Sequence, residues 1–152
     1  AVIGALQLAA CSPAPELADG PPKVAMARNA AIVAPDVVDV RSLGEWRYGN
    51  QYGTYRVITR RGGVDRVQTS ITIEWLSPVM GEEAPSIVAS RNVQLLEDLG
   101  PVTVASAVFG RGSNQLTVSV AVKNTATGEA GRVTTIAQAP GEMRVEYLKS
   151  TN

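Results

Sequence analysis

The side chains that usually carry catalysis are scarce in this chain. The 152 residues include no histidine and one cysteine, Cys11, so no Ser-His or Cys-His nucleophile pair can form. A zinc site built from cysteine and histidine is excluded for the same reason. Carboxylates lie close in sequence at three places, Asp36/Asp39, Glu82/Glu83 and Glu97/Asp98. We interpret them as solvated surface charge, and we expect a protein that is not an enzyme and holds no metal or other cofactor.

Residues 42–55 form the most distinctive interior segment. They hold four of the seven aromatic residues of the chain, at positions 46, 48, 52 and 55, beside two carboxamides. Flat rings beside amides suit sugar binding, because sugar C–H faces stack on rings and hydroxyls bond to amides. The candidate ligand-binding residues are Trp46, Tyr48, Asn50, Gln51 and Tyr52. We favour the alternative, in which these rings fill the core and rim, since a chain with one phenylalanine needs its Trp and Tyr for volume.

The first eleven residues carry a different pattern. Residues 1–10 are uncharged and mostly apolar, but they are too short for a membrane span of about 20 residues. Leu8-Ala9-Ala10-Cys11 places a branched apolar residue and two small residues before the cysteine, and the following residues 12–22 are rich in proline and cannot continue a helix. This pattern resembles the lipobox of bacterial lipoproteins, and the resemblance covers only about the first dozen residues.

The resemblance implies that residues 1–10 are a signal peptide and that Cys11 becomes the acylated first residue of the mature protein. Two or three acyl chains, such as palmitate, would hold the protein on a membrane, since each buried methylene contributes roughly 0.8 kcal/mol. Ser12 after the cysteine favours the outer membrane in the enterobacterial sorting rule. We therefore expect an outer membrane lipoprotein of the bacterial cell envelope that faces the periplasm or the cell surface. The alternative is a buried or fibre-forming apolar N-terminus with an incidental thiol.

Behind a tether of residues 11–30, the pattern predicts a single β-domain over residues 31–152. Short β-prone pieces at 31–33 and 37–40 flank Pro35, as in an edge strand broken at a bend. A strand at 54–60, a turn at 61–65 and a return strand at 66–76 predict a hairpin. The return strand alternates apolar and polar residues, which predicts one face in the core and one in water. Its expected core positions are Val67, Ile71, Ile73 and Trp75.

The remaining chain continues this β pattern with one interruption. Helical spacing predicts a short helix over 90–99, capped by Ser90 and stopped by Gly100-Pro101. Strands are predicted at 102–109 and 116–122, with a turn at 110–114 between them, and a last hairpin at 132–138 and 142–148. Short strands joined by turn clusters indicate a mainly β protein, either an antiparallel β-sandwich or a barrel-like domain, with at most one short helix.

Charge limits the partners of this domain. Fourteen basic and fourteen acidic residues give zero net charge without a basic stripe, so we expect no nucleic-acid partner. Two functions remain. The first is a membrane-anchored, non-catalytic lipoprotein that acts as a structural or assembly subunit of a cell-envelope complex, and the second is a glycan or small-ligand binding module that uses residues 46–55.

An assembly subunit would contact other envelope proteins or associate with itself. The last hairpin offers Met143, Val145 and Tyr147 as candidate interface residues, although core packing explains their apolar character equally well. An open sheet edge or a flat apolar patch would favour the assembly function. A concave aromatic pocket would favour the binding module.

Overall fold

The computed structural model describes residues 34–63, 67–112 and 114–151. Within these ranges the chain forms eight strands and one short helix. In chain order these are β1 (Val37–Tyr48), β2 (Gln51–Gly62), β3 (Gln68–Leu76), β4 (Ile87–Asn92), α1 (Gln94–Asp98), β5 (Val102–Gly112), β6 (Gln115–Asn124), β7 (Ala130–Ala137) and β8 (Met143–Lys149). The predicted signal peptide, Cys11 and the tether lie outside the described residues.

The strands form two antiparallel sheets of four, in the orders β1-β2-β3-β4 and β5-β6-β7-β8. Each sheet is a meander, and α1 lies between the two in sequence. One core takes buried side chains from both sheets, among them Val57, Ile73, Trp75, Leu116, Val118, Val120 and Val133. The predicted mainly β fold, an antiparallel sandwich-like domain with one short helix, is therefore confirmed.

The β2–β3 hairpin is the predicted one, with pairing from Thr54 opposite Leu76 to Gly62 opposite Gln68. Three of its predicted core residues, Ile71, Ile73 and Trp75, are buried. The prediction for Val67 is wrong, because this residue precedes the first residue of β3 and is 41% exposed.

The polar face of β3, which was predicted to lie in water, does so only in part. Gln68 is exposed, but Thr72 and Glu74 are buried in the central strand, which has β2 on one side and β4 on the other. Glu74 accepts a hydrogen bond from Arg56 Nε at 2.6 Å, and Thr72 donates one to Asn92 Oδ1 at 2.7 Å. Neighbouring strands thus satisfy these polar groups in place of solvent.

Strand β1 continues beyond the β-prone piece predicted at 37–40. It runs from Val37 to Tyr48, and its pairing with β2 shifts register between Val37 and Asp39 and again between Leu43 and Glu45. Gly44 lies in the second shift with a φ of 60°, a conformation that glycine adopts at little cost. Residues 31–33 lie outside the described part of the chain.

The predicted helix begins four residues later than expected. Residues 87–92 form β4 instead, since Ser90 pairs with Glu74 and Asn92 with Thr72. Ser90 is therefore a strand residue, and Val93 takes the N-cap position of α1 without a side-chain cap. The end agrees with the prediction, because Gly100 follows the helix with a φ of 80°.

The second sheet follows its predicted alternation closely. Its four predicted inward positions on β6, Leu116, Val118, Val120 and Val122, are all buried. The turn predicted at 110–114 is shorter than expected, because β5 continues to Gly112 and β6 begins at Gln115. The last hairpin agrees with the prediction within one or two residues at each end.

The sandwich has two distinct ends. The chain enters β1 at one of them, here called the entry end, where α1 and the 124–129 loop also lie. The opposite end, here called the tip end, carries the β1–β2 turn at residues 49–50, the β3–β4 connection at 77–86 and the β7–β8 turn at 138–142. Twelve residues of β1 separate the two ends by about 36 Å, at a rise of about 3.3 Å per residue.

Candidate functional site

Four of the five predicted ligand-binding residues lie together at the tip end. A shallow groove of about 280 Å³, here called the tip groove, is lined by Trp46, Asn50, Gln51, Tyr52, Ser77, Pro78 and Val88. Tyr48 is not among the lining residues. Sequence reasoning missed the last three, because they come from the β3–β4 connection and β4. Only Ser77-Pro78 gave a local signal, as the end of a strand.

Trp46 forms the floor of the tip groove. It is 1% exposed, and its Nε1 donates a hydrogen bond to the Leu76 carbonyl at 3.1 Å. The indole crosses Gly53, where a Cβ would overlap the Leu76 oxygen and lie 3.0 Å from Trp46 Nε1. An aromatic ring that covers a strand glycine in this way is a recurrent sheet device. Trp46 therefore packs in the core, and almost none of its surface is exposed at the groove.

Tyr52 is the open ring of the tip groove. It is 54% exposed, and the Arg47 guanidinium carbon lies 5.9 Å from its ring centroid on the neighbouring strand. Asn50 and Gln51 are exposed beside it. A second cavity of about 230 Å³ shares these three residues and adds Arg47 and Gly49. This second cavity thus offers one ring, two carboxamides and one cation, which suits a hydroxylated ligand.

Tyr55 and Trp75 lie between the sheets below the tip and join them. The Tyr55 hydroxyl lies 3.0 Å from the Gln138 carbonyl oxygen and 3.3 Å from that of Ala137, and Trp75 Nε1 donates to Gln138 at 2.9 Å. The two rings pack edge to face, with centroids 6.0 Å apart. Burial raises the pKa of Tyr55 to about 12, so its hydroxyl stays protonated near neutral pH. The Tyr55 hydroxyl and the Trp75 indole thus tie the first sheet to the end of β7 in the second sheet. Neither group can act as a general base.

The predicted interface residues lie on β8, an edge strand of the second sheet. The side chains of Met143, Val145 and Tyr147 are half-buried and pack against the core, so the core packing considered for them is present. The exposed side chains of β8 are those of the alternate residues Arg144, Glu146 and Leu148, and of the last residue, Lys149. An interface at this strand would therefore use its backbone edge as well as its side chains.

β8 differs from the other three edge strands. In the described part of the chain, the pairings of β1, β4 and β5 with their neighbours each contain a register shift. The pairing of β8 with β7 is continuous from Gly131 opposite Lys149 to Ala137 opposite Met143. Bulges protect sheet edges from further pairing, because they interrupt the row of free backbone groups. Among the described strands, β8 is the edge that lacks this protection.

Both carboxylates of the Asp36/Asp39 pair have ordinary surface partners. Asp39 accepts a hydrogen bond from Arg41 Nε at 2.7 Å, and Asp36 lies 3.7 Å from Arg60 Nε. Across residues 34–63, 67–112 and 114–151, no three His, Cys, Asp or Glu side chains come close enough to hold a metal ion. In the same ranges no helix is long and apolar enough to cross a bilayer.

Comparison with known proteins finds no matching family model, no matching curated protein and no matching solved structure. The function is therefore inferred from the residues and their geometry.

Proposed function

We propose that the chain is a membrane-anchored, non-catalytic lipoprotein that acts as a structural or assembly subunit of a cell-envelope complex. The observation that carries this proposal is the open edge of β8, whose pairing with β7 is free of bulges. An unprotected edge presents free N–H and C=O groups to another chain. Such a strand is expected in a protein that assembles, because in a monomer it favours unwanted association.

The chemistry of the domain supports a role without turnover. The most perturbed side chain, Tyr55, is enclosed between the sheets and holds its proton tightly. Zero net charge provides no overall field to steer charged substrates. A protein that binds or assembles needs neither a reactive side chain nor a field that steers charged substrates.

An anchor at Cys11 would suit assembly. Attachment to one bilayer keeps neighbouring copies at high local concentration, so weak contacts become effective.

Intact mass spectrometry tests the anchor. The full chain, produced in a bacterium and extracted in mild detergent, should begin at Cys11 and carry the mass of two or three acyl chains. A matched Cys11→Ala variant should lack the lipid and leave the membrane fraction or keep its leader. A native protein that begins at or before Ala1 with a free thiol would contradict the proposal.

A second candidate function is favoured by the tip groove itself. We propose, as the alternative, a module that binds a glycan or small ligand through the Tyr52 ring and the amides of Asn50 and Gln51. The groove combines a mostly apolar lining with a few polar groups, as small-ligand sites do.

Two tyrosines make a matched test of this alternative. Tyr52 and Tyr48 are both exposed on the same hairpin, but only Tyr52 lines the groove. In NMR titrations with soluble N-acetylglucosamine oligomers, Tyr52→Ala should abolish the chemical-shift changes and Tyr48→Ala should keep them. Wild-type spectra that do not change, or equal losses in both variants, would argue against this function.

A further inference from the structure

We propose that the partner of the β8 edge is a second copy of this chain, paired antiparallel through β8 in a register centred on Val145. This inference rests on the proposed assembly function and names its partner. The β5-β6-β7-β8 sheet of each copy would join the same sheet of the other, edge to edge, into one sheet of eight strands. A two-fold axis would relate the two copies, as in most homodimers.

The hydrogen bonds of β8 determine which of its backbone groups have no partner among the described residues. At one end of the ladder Ser150 N–H donates to the Ala130 carbonyl, and at the other Gln138 N–H donates to the Glu142 carbonyl. Hydrogen-bonded pairs recur at every second residue of an antiparallel ladder. The backbone groups of Arg144, Glu146 and Leu148 therefore point toward β7. The backbone groups of Met143, Val145 and Tyr147, the predicted interface residues, point away from β7, toward the edge of the sheet.

The proposed register uses the free backbone groups of these three residues. With Val145 opposite Val145 of the second copy, Met143 lies opposite Tyr147 of that copy, and the reverse pair follows by symmetry. Each of the three pairs can exchange two hydrogen bonds, about six in all. The half-buried side chains of these residues would meet their counterparts on the core side of the joined sheet.

The charged residues of β8 favour this register over the two registers shifted by two residues. Centring on Val145 places Arg144 opposite Glu146 of the second copy, twice, in the closer non-hydrogen-bonded pairs. Both side chains are more than 60% exposed and lie 3.3 Å apart within one chain. A slip of two residues in one direction puts Arg144 opposite Arg144, and a slip in the other puts Glu146 opposite Glu146. Like charges directly opposite each other destabilise a strand pair.

Disulfide trapping in the membrane tests the register. Full-length Arg144→Cys and Glu146→Cys chains, produced together in one cell, would bring two cysteine Cα atoms to about 4.5 Å, within the range a disulfide spans. Oxidation should give a covalent dimer that contains one chain of each kind. Arg144→Cys produced with Val108→Cys is the matched control, because Val108 is 59% exposed on β5 at the other edge of the same sheet.

Charge reversal gives an independent readout. Arg144→Glu should weaken dimerisation about tenfold, since two opposite-charge pairs become like-charge pairs. The double variant Arg144→Glu/Glu146→Arg should restore it, because the pairs return with exchanged signs. Both positions are exposed, so these substitutions leave the core of each domain intact.

The possible outcomes separate this inference from the proposed function. Equal cross-linking in the Val108 control, or no mixed dimer while the wild type still extracts as an assembly, would overturn the β8 pairing and leave the assembly function standing. A wild-type chain that extracts only as a monomer would overturn both. A mixed dimer without a control dimer, together with rescue by the charge swap, would establish the pairing.

Discussion

Replacing Gly53 with alanine should destabilise the domain far more than an ordinary glycine substitution in a strand. Gly53 has no side chain to obstruct the Trp46 indole, which crosses it to reach the Leu76 carbonyl. An added Cβ would overlap that carbonyl oxygen, and the obstacle is backbone that cannot rotate away. The strand or the indole must therefore move.

The cost follows from two contributions. Loss of the buried indole hydrogen bond leaves a donor unsatisfied, at about 1–3 kcal/mol. Overpacking against fixed backbone adds about 1–3 kcal/mol. We expect Gly53→Ala to lower the free energy of unfolding by about 2–6 kcal/mol. Urea unfolding followed by tryptophan fluorescence should show a midpoint lower by about 1–3 M.

Gly62 provides the control on the same strand. A Cβ there would meet nothing within 4 Å, so Gly62→Ala should be neutral or stabilise by up to about 1 kcal/mol. If the two alanine variants unfold within about 0.5 kcal/mol of each other, the indole does not depend on Gly53, and the floor assigned to the tip groove is wrong.

Two further predictions concern the core. Ile73→Ala should cost about 2–5 kcal/mol in urea unfolding, and Thr72→Ala only about 1 kcal/mol, for the bond to Asn92; equal losses would contradict the facing of β3. Because the folded pKa of Tyr55 is raised to about 12 from an unfolded value near 10, stability from this group should be complete below pH 10. It should be lost between pH 10 and 12, by up to about 2–3 kcal/mol, and Tyr55→Phe should lack this loss. An identical alkaline profile in both proteins would refute the assignment.

Local sequence predicts what depends on neighbours in the chain. The alternation around Ile71 and Ile73 predicts both the strand and the face that packs in the core, because both depend on adjacent residues. The prediction failed for Val67, because the position where a strand begins depends on the turn before it. Ser90 resembles a helix cap, but pairing with Glu74, sixteen residues earlier in the chain, makes it a strand residue. Tertiary pairing outweighs such local preferences.

The site was predictable in part for the same reason. Asn50, Gln51 and Tyr52 are neighbours on one hairpin, so the sequence alone brings them together. Whether Trp46 stacks on a ligand or lies in the core depends on Leu76, which is thirty residues away. The apolar residues of β8 are visible in the sequence, but the open edge beside them depends on the strand order and on the bulges of the other edges.

The mass of the detergent-extracted, wild-type full-length chain, measured by light scattering after size exclusion, tests the assembly claim most directly. With the lipid and detergent contributions subtracted, we predict a protein mass of at least two chains. A single acylated chain that stays monomeric at the concentration found in the envelope would contradict it.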